Sequence, residues 1–233
     1  MSRVTAGGRK VRGFVTTSRL ESPLIGIQPR RTALSLAFLG GFGVLFAVSH
    51  LATTVSVGGT HLETTSSLFD SLTALVIFLA TAMIIVGPYL YAVWNGGPVL
   101  AGTIAFFPVV LGELATGRYA LGLDGAIAIT TAVGGIVLAT YVLDVRKTAS
   151  LRPWSSRTPS LESVLALSVV TLIGGVSVWQ FILEGATLLG VTSMPLALLW
   201  MPPVTVVVAY WTGFLLARVQ PTEDSQLGDQ YSH

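Results

Sequence analysis

Six long apolar stretches, almost free of charge, follow one another along this chain at residues 32–54, 68–94, 98–116, 125–143, 161–183 and 195–217. The hydrocarbon core of a bilayer is about 30 Å thick and a helix rises about 1.5 Å per residue, so about 20 residues complete a crossing. The pattern predicts an all-α fold, a polytopic bundle of six transmembrane helices with little chain left for a soluble domain. The second stretch is longer than a crossing needs, and Pro88 should kink its inner end. Asn95-Gly96-Gly97-Pro98 reads as a tight turn that sets the third crossing antiparallel to the second. Asp144 and the basic pair after it should stop the fourth crossing, and Ser160 with Glu162 marks the start of the fifth. The segment between them is the expected boundary between two three-helix halves.

Charge orients these crossings. Seven of the thirteen Lys and Arg residues precede the first stretch, four (Arg146, Lys147, Arg152, Arg157) lie between the fourth and fifth, and Arg218 follows the sixth. Only Arg118 falls on the other side. Lys and Arg are retained on the cytoplasmic side, which predicts both termini inside. Residues 1–31 then form a basic cytoplasmic tail, expected to be mostly disordered, residues 32–217 the membrane domain, and residues 218–233 a short cytoplasmic tail. Tyr89, Tyr91, Trp94, Tyr141, Tyr210 and Trp211 fall near the inner interface, and Tyr119, Trp179 and Trp200 near the outer one, as an aromatic belt requires.

Composition agrees. The chain is 52% hydrophobic and 10% charged, with mean hydropathy +0.75, far from the quarter charged of an ordinary soluble domain. The basic tail implies the anionic inner leaflet as its partner, together with other membrane proteins, and not nucleic acid. Without cysteine there is no disulfide or thiol chemistry. The excess of Arg over Lys, with abundant Thr, Val, Ala and Gly, points to a GC-rich or halophilic prokaryote and hence to its plasma membrane. Arg30-Arg31 ahead of an apolar run resembles a twin-arginine export signal, but the run is longer than such signals carry and is read as a retained helix.

Candidate functional positions are few. Gly40-Gly41, Gly134-Gly135 and Gly174-Gly175 suit close helix packing, and the first two pairs occupy matching places in the two halves, as in an inverted repeat. Pro202-Pro203 breaks the backbone ladder of the sixth crossing, either to line a cavity or because the helix begins there. Ionisable groups gather toward the outside. His50, His61, Glu113 and Arg118, with Glu63, Asp70, Asp124 and Glu184 around them, make either a hydrated interfacial ring, with Glu113 paired to Arg118, or an outward-facing ion or metal site. None of these acids and histidines lies three or four residues from another, so no helix face carries a preformed chelate. No metalloprotease, nucleophile-elbow or nucleotide-loop motif occurs, and no cofactor is implied. Gly122-Leu123-Asp124 resembles part of an intramembrane aspartyl protease motif. Its only partner, Asp144, sits at the far end of the same crossing, about 30 Å away by helix rise.

Three functions fit these features. A non-catalytic accessory, assembly or envelope component is preferred. A small-solute or ion transporter would need a cavity at Pro202-Pro203, and a membrane enzyme would need a working polar site around His50 and Glu113.

Overall fold

A computed structural model describes residues 24–61, 67–117, 122–151, 159–183 and 198–219. Among the described residues, six helices are long and apolar enough to cross a membrane. Helix α1 (Pro29–Thr54) starts with proline in its first turn, where a missing N–H costs nothing. A two-residue antiparallel bridge, Ser56–Val57 with Thr60–His61, follows it. Gly58 and Gly59 both take positive φ there, as the tightest hairpin turn requires.

The second crossing is divided. Helix α2 (Ser67–Ile85) stops at Val86, and α3 (Gly87–Asn95) restarts with Pro88 in its first turn. The kink expected at Pro88 is realised as this break, because proline has no N–H for the carbonyl one turn back. Gly96, in the left-handed region, turns the chain into α4 (Pro98–Thr116), which accommodates Pro108 internally. Helix α5 (Leu123–Thr148) continues past the expected end at Leu143. Asp124 in its first turn and Arg146 and Lys147 in its last suit the helix dipole, so the charged residues extend this helix instead of ending it. Helix α6 (Leu161–Ser177) is capped by the Ser160 hydroxyl, which accepts from the Ser163 N–H at 3.2 Å, and widens into a π turn over Val178–Leu183. A 3-10 turn, Leu198–Trp200, leads into α7 (Met201–Val219).

The molecule is apolar outside. Phe78 is 69% exposed and Leu172 63%, while Thr130, Thr131 and Ser177 are buried and donate their hydroxyls to helix carbonyls. That inversion suits a bundle solvated by lipid, where every polar group must find its partner within the protein. Helix α5 is central. Over half of its apolar window is buried (56%), against 11% for α2. One apolar cluster joins α1, α2, α3 and α4 with Ala139 of α5, and another joins Val133 and Val137 of α5 to α6 and α7. The fourth crossing thus packs against both sets of helices and does not belong to one half alone.

The entry to α7 is held by contacts with two other helices. In its preceding 3-10 turn, Trp200 lies beside Gly174 and Gly175 of α6, and the Leu199 carbonyl meets Tyr89 of α3. Backbone outside a regular helix needs donors and acceptors within the protein. Tyr89 supplies one by donating to the Leu199 carbonyl at 2.5 Å, and the Trp200 indole N–H donates to the Thr171 carbonyl at 2.9 Å. Trp200, expected in the outer belt, therefore packs inward.

Candidate functional site

The described Lys and Arg residues, Arg30, Arg31, Arg146, Lys147 and Arg218, all lie at one end of the bundle, where α1 and α6 begin and α3, α5 and α7 finish. Asn95, wholly buried at the end of α3, organises this end. Its side-chain oxygen accepts from the Gln28 N–H at 2.9 Å, and its amide nitrogen donates to the Thr32 and Tyr91 hydroxyls at 2.9 and 2.8 Å. The Asn95 carbonyl accepts from the Ile27 N–H, the Tyr91 hydroxyl donates to the Ile25 carbonyl, and the Val99 N–H donates to the Leu24 carbonyl. Residues 24–28 are thereby strapped across the α3–α4 turn. The strap leaves no room for side chains at two positions: a Cβ on Gly97 would collide with the Ile25 carbonyl, and one on Gly26 with the Asn95 amide. Sequence reasoning read Asn95 only as a turn residue and placed residues 24–28 in the tail. The available signal was Tyr91 four residues earlier on the same helix face.

Two arginines close the last turn of α3. Arg31 donates to the Trp94 carbonyl and lies over the Trp94 ring with its guanidinium carbon 5.4 Å from the centroid. Arg146 donates to the neighbouring Val93 carbonyl at 2.9 Å. These carbonyls carry the negative end of the helix dipole and lack partners within α3, so two fixed cations meet both needs. Behind Arg31 opens a groove of about 1020 Å³ between α1 and the α2–α3 break, walled by Leu34, Phe38, Leu79, Met83 and Leu90. Its lining is apolar except at the Arg31 end and at Ser35 and Tyr91, whose hydroxyls donate to the Arg31 and Ile25 carbonyls.

Asp144 anchors the other side of the same end. It accepts from the Tyr210 hydroxyl, joining α5 to α7, while the Tyr141 ring meets Tyr210 edge-on and its hydroxyl donates to the Leu151 carbonyl at 2.6 Å. Asp124 lies in the first turn of α5 and Asp144 near the other end of the same helix, so the two share no site.

At the opposite end, some of the sequence-predicted residues can be placed and others lie outside the described residues. His50 is half-buried and stacks on Phe46 one turn earlier, with ring centroids 6.3 Å apart. Its neighbour Ser49 bonds Thr73 of α2 at 2.9 Å. Glu113 is half-buried in the last turn of α4, and His61 lies in the short bridge. The His61 side chain, Glu63, Arg118 and Glu184 fall outside the described residues. Among the described residues, no three His, Asp or Glu side chains converge to hold a metal.

The glycine pairs divide sharply. A Cβ on Gly134 would strike the Tyr89 ring, one on Gly135 would stand 2.6 Å from Pro88 Cβ, and one on Gly175 would stand 2.7 Å from the Trp200 ring. Gly174 is nearly as close, 3.1 Å from Val133 and 3.3 Å from Trp200. Gly40 and Gly41 meet nothing within 4 Å among the described residues. Among the described residues, the two pairs that looked equivalent along the chain have unlike surroundings. Pro202 and Pro203 fall in the first turn of α7, where an N–H would lack a partner in the helix itself.

No family model, curated protein or solved structure matches the chain.

Proposed function

We propose that this protein is a non-catalytic component of a prokaryotic plasma membrane, an accessory, assembly or envelope subunit, held with its basic end in the cytoplasm. One observation supports the reading: among the described residues, glycines let helices α3, α5 and α6 and the turn before α7 close directly on one another. Gly134 and Gly135 let Tyr89 and Pro88 of α3 sit directly against α5, and Gly174 and Gly175 let Trp200 sit against α6. A transporter with alternating access keeps its binding site at a junction near the midplane, commonly where helices are interrupted. Here the two interruptions, at Val86 and Leu198–Trp200, are bridged to each other by the Tyr89 hydroxyl on the Leu199 carbonyl and are packed on α5. The gathering of the described Lys and Arg at one end supports the orientation.

The test is purification from native membranes in mild detergent, followed by proteomics and by flux measurements on proteoliposomes. A membrane protein recovered in fixed stoichiometry supports a subunit role. Isolation alone, with saturable uptake of a solute, would overturn it in favour of transport.

A further inference from the structure

The lateral groove beside Arg31 is shaped for one kind of molecule. Along α2 and α3 it runs from Leu79 to Trp94, about 22 Å at the rise of a helix, comparable with the roughly 15 Å depth of one leaflet once tilt and the break are allowed for. Its walls are hydrocarbon, and a volume of about 1020 Å³ open toward lipid would forfeit dispersion contacts along its whole lining if it were empty. Water gains little there, because the Ser35 and Tyr91 hydroxyls already have protein acceptors. Among the described residues, charge in the lining is found at one end. Arg31 is the charged residue of the lining, and it is fixed at the interface by the Trp94 ring and carbonyl. A guanidinium has five N–H donors in a planar fork that matches a phosphate, and an aromatic neighbour holds that fork in place. Arg30 is exposed beside it, and Arg146 occupies the next carbonyl of α3.

We propose that this groove is a binding site for an anionic phospholipid of the leaflet at the basic end, with an acyl chain along Leu34, Phe38, Leu79 and Leu90 and the phosphate on Arg31. The site does not depend on whether the protein is a subunit or a transporter. Residues 24–28, strapped to Asn95, fix the start of α1 and so the position of Arg31 relative to Trp94. An anionic headgroup is favoured over a zwitterionic one because Arg30, Arg31 and Arg146 concentrate positive charge where the headgroup lies.

Native mass spectrometry of the full chain in detergent tests this, with phosphatidylglycerol and phosphatidylcholine titrated separately. Wild type should retain one phosphatidylglycerol with about tenfold preference over phosphatidylcholine, the size expected of one charge-assisted contact. Arg31→Gln should lose the preference but still take up either lipid weakly. Ala82→Trp, which fills the groove from α2, should lose both adducts while circular dichroism and gel filtration remain those of wild type. Arg31→Lys, which keeps the charge but not the fork, should fall between wild type and Arg31→Gln. Equal retention of the two lipids by wild type, or an unchanged phosphatidylglycerol adduct in Arg31→Gln or in folded Ala82→Trp, would overturn the proposal. So would a disulfide-linked dimer formed efficiently through cysteine at Leu34, since a second copy would then occupy the groove.

Discussion

Replacing Gly135 by alanine and, separately, Gly40 by alanine isolates the packing of the bundle centre from the intrinsic cost of glycine in a helix. Both glycines are interior to long helices, so both substitutions gain the same propensity term, about 0.8–1.0 kcal/mol in water. That term can differ in a micelle, but it is common to the pair and cancels in their difference. What differs is the space. The new methyl at 135 would lie 2.6 Å from Pro88 Cβ and 3.1 Å from the Pro88 carbonyl carbon, whereas at 40 it meets nothing within 4 Å among the described residues. Pro88 is a ring fused to the backbone of α3 and has no rotamer to change, so relief requires α3 to move away from α5. Overpacking of this kind costs about 1–3 kcal/mol. Gly40→Ala should therefore be stabilised by about 1 kcal/mol at most, and Gly135→Ala should lie about 1–3 kcal/mol below it. Unfolding in mixed micelles by titration with sodium dodecyl sulfate, followed by far-ultraviolet circular dichroism, reads both values. If the two variants shift equally, α3 and α5 do not meet at Gly135 and the central position of α5 is wrong.

Three further outcomes follow from the same geometry. Asn95→Ala deprives the Gln28 N–H of its acceptor and the Thr32 and Tyr91 hydroxyls of a donor, so it should cost about 1–3 kcal/mol in the same unfolding assay. Amide exchange at Ile27 and Gln28 should accelerate, and exchange as slow as in wild type would show that Asn95 does not hold the strap. Tyr210→Phe removes the hydroxyl that caps Asp144 and should cost about 1–3 kcal/mol; an unchanged midpoint would mean that water replaces the tyrosine there. Cysteines at Thr60 and Ser156 in intact cells should react unequally with an impermeant thiol reagent, Thr60 alone being labelled, and equal labelling would refute the proposed orientation.

The number and order of the crossings were legible because lipid imposes one demand on every segment: a helix of sufficient length, with all backbone groups satisfied internally. Local punctuation was legible for the same reason. Pro88, the Asn95-Gly96-Gly97-Pro98 turn and the Ser160 cap each act through backbone geometry that a residue carries with it. Helix α5 runs beyond Leu143 although Asp144, Arg146 and Lys147 look like a boundary of the hydrocarbon region, which is not the boundary of a helix. Past the apolar core the helix continues, since Asp144 has Tyr210 and Arg146 has the Val93 carbonyl as partners on other helices.

Partners on other helices are also what separates the legible positions from the rest. Gly40-Gly41 and Gly134-Gly135 are the same dipeptide in similar apolar surroundings along the chain, yet one pair faces outward and the other receives Pro88 and Tyr89. Nothing in either helix alone carries that difference, because in lipid both faces of a helix can be equally apolar and burial leaves no stripe to read. The same limit applies to the groove. Pro88 announces that the second crossing must break, but the space bounded by Ala82, Val86 and Gly87 depends on how far α1 stands from that break. That distance is set by the strap of residues 24–28 on Asn95, a set of contacts between segments more than sixty positions apart. A candidate site in such a protein is therefore sought first at interruptions of its helices, where backbone geometry visible in the sequence meets packing that is not.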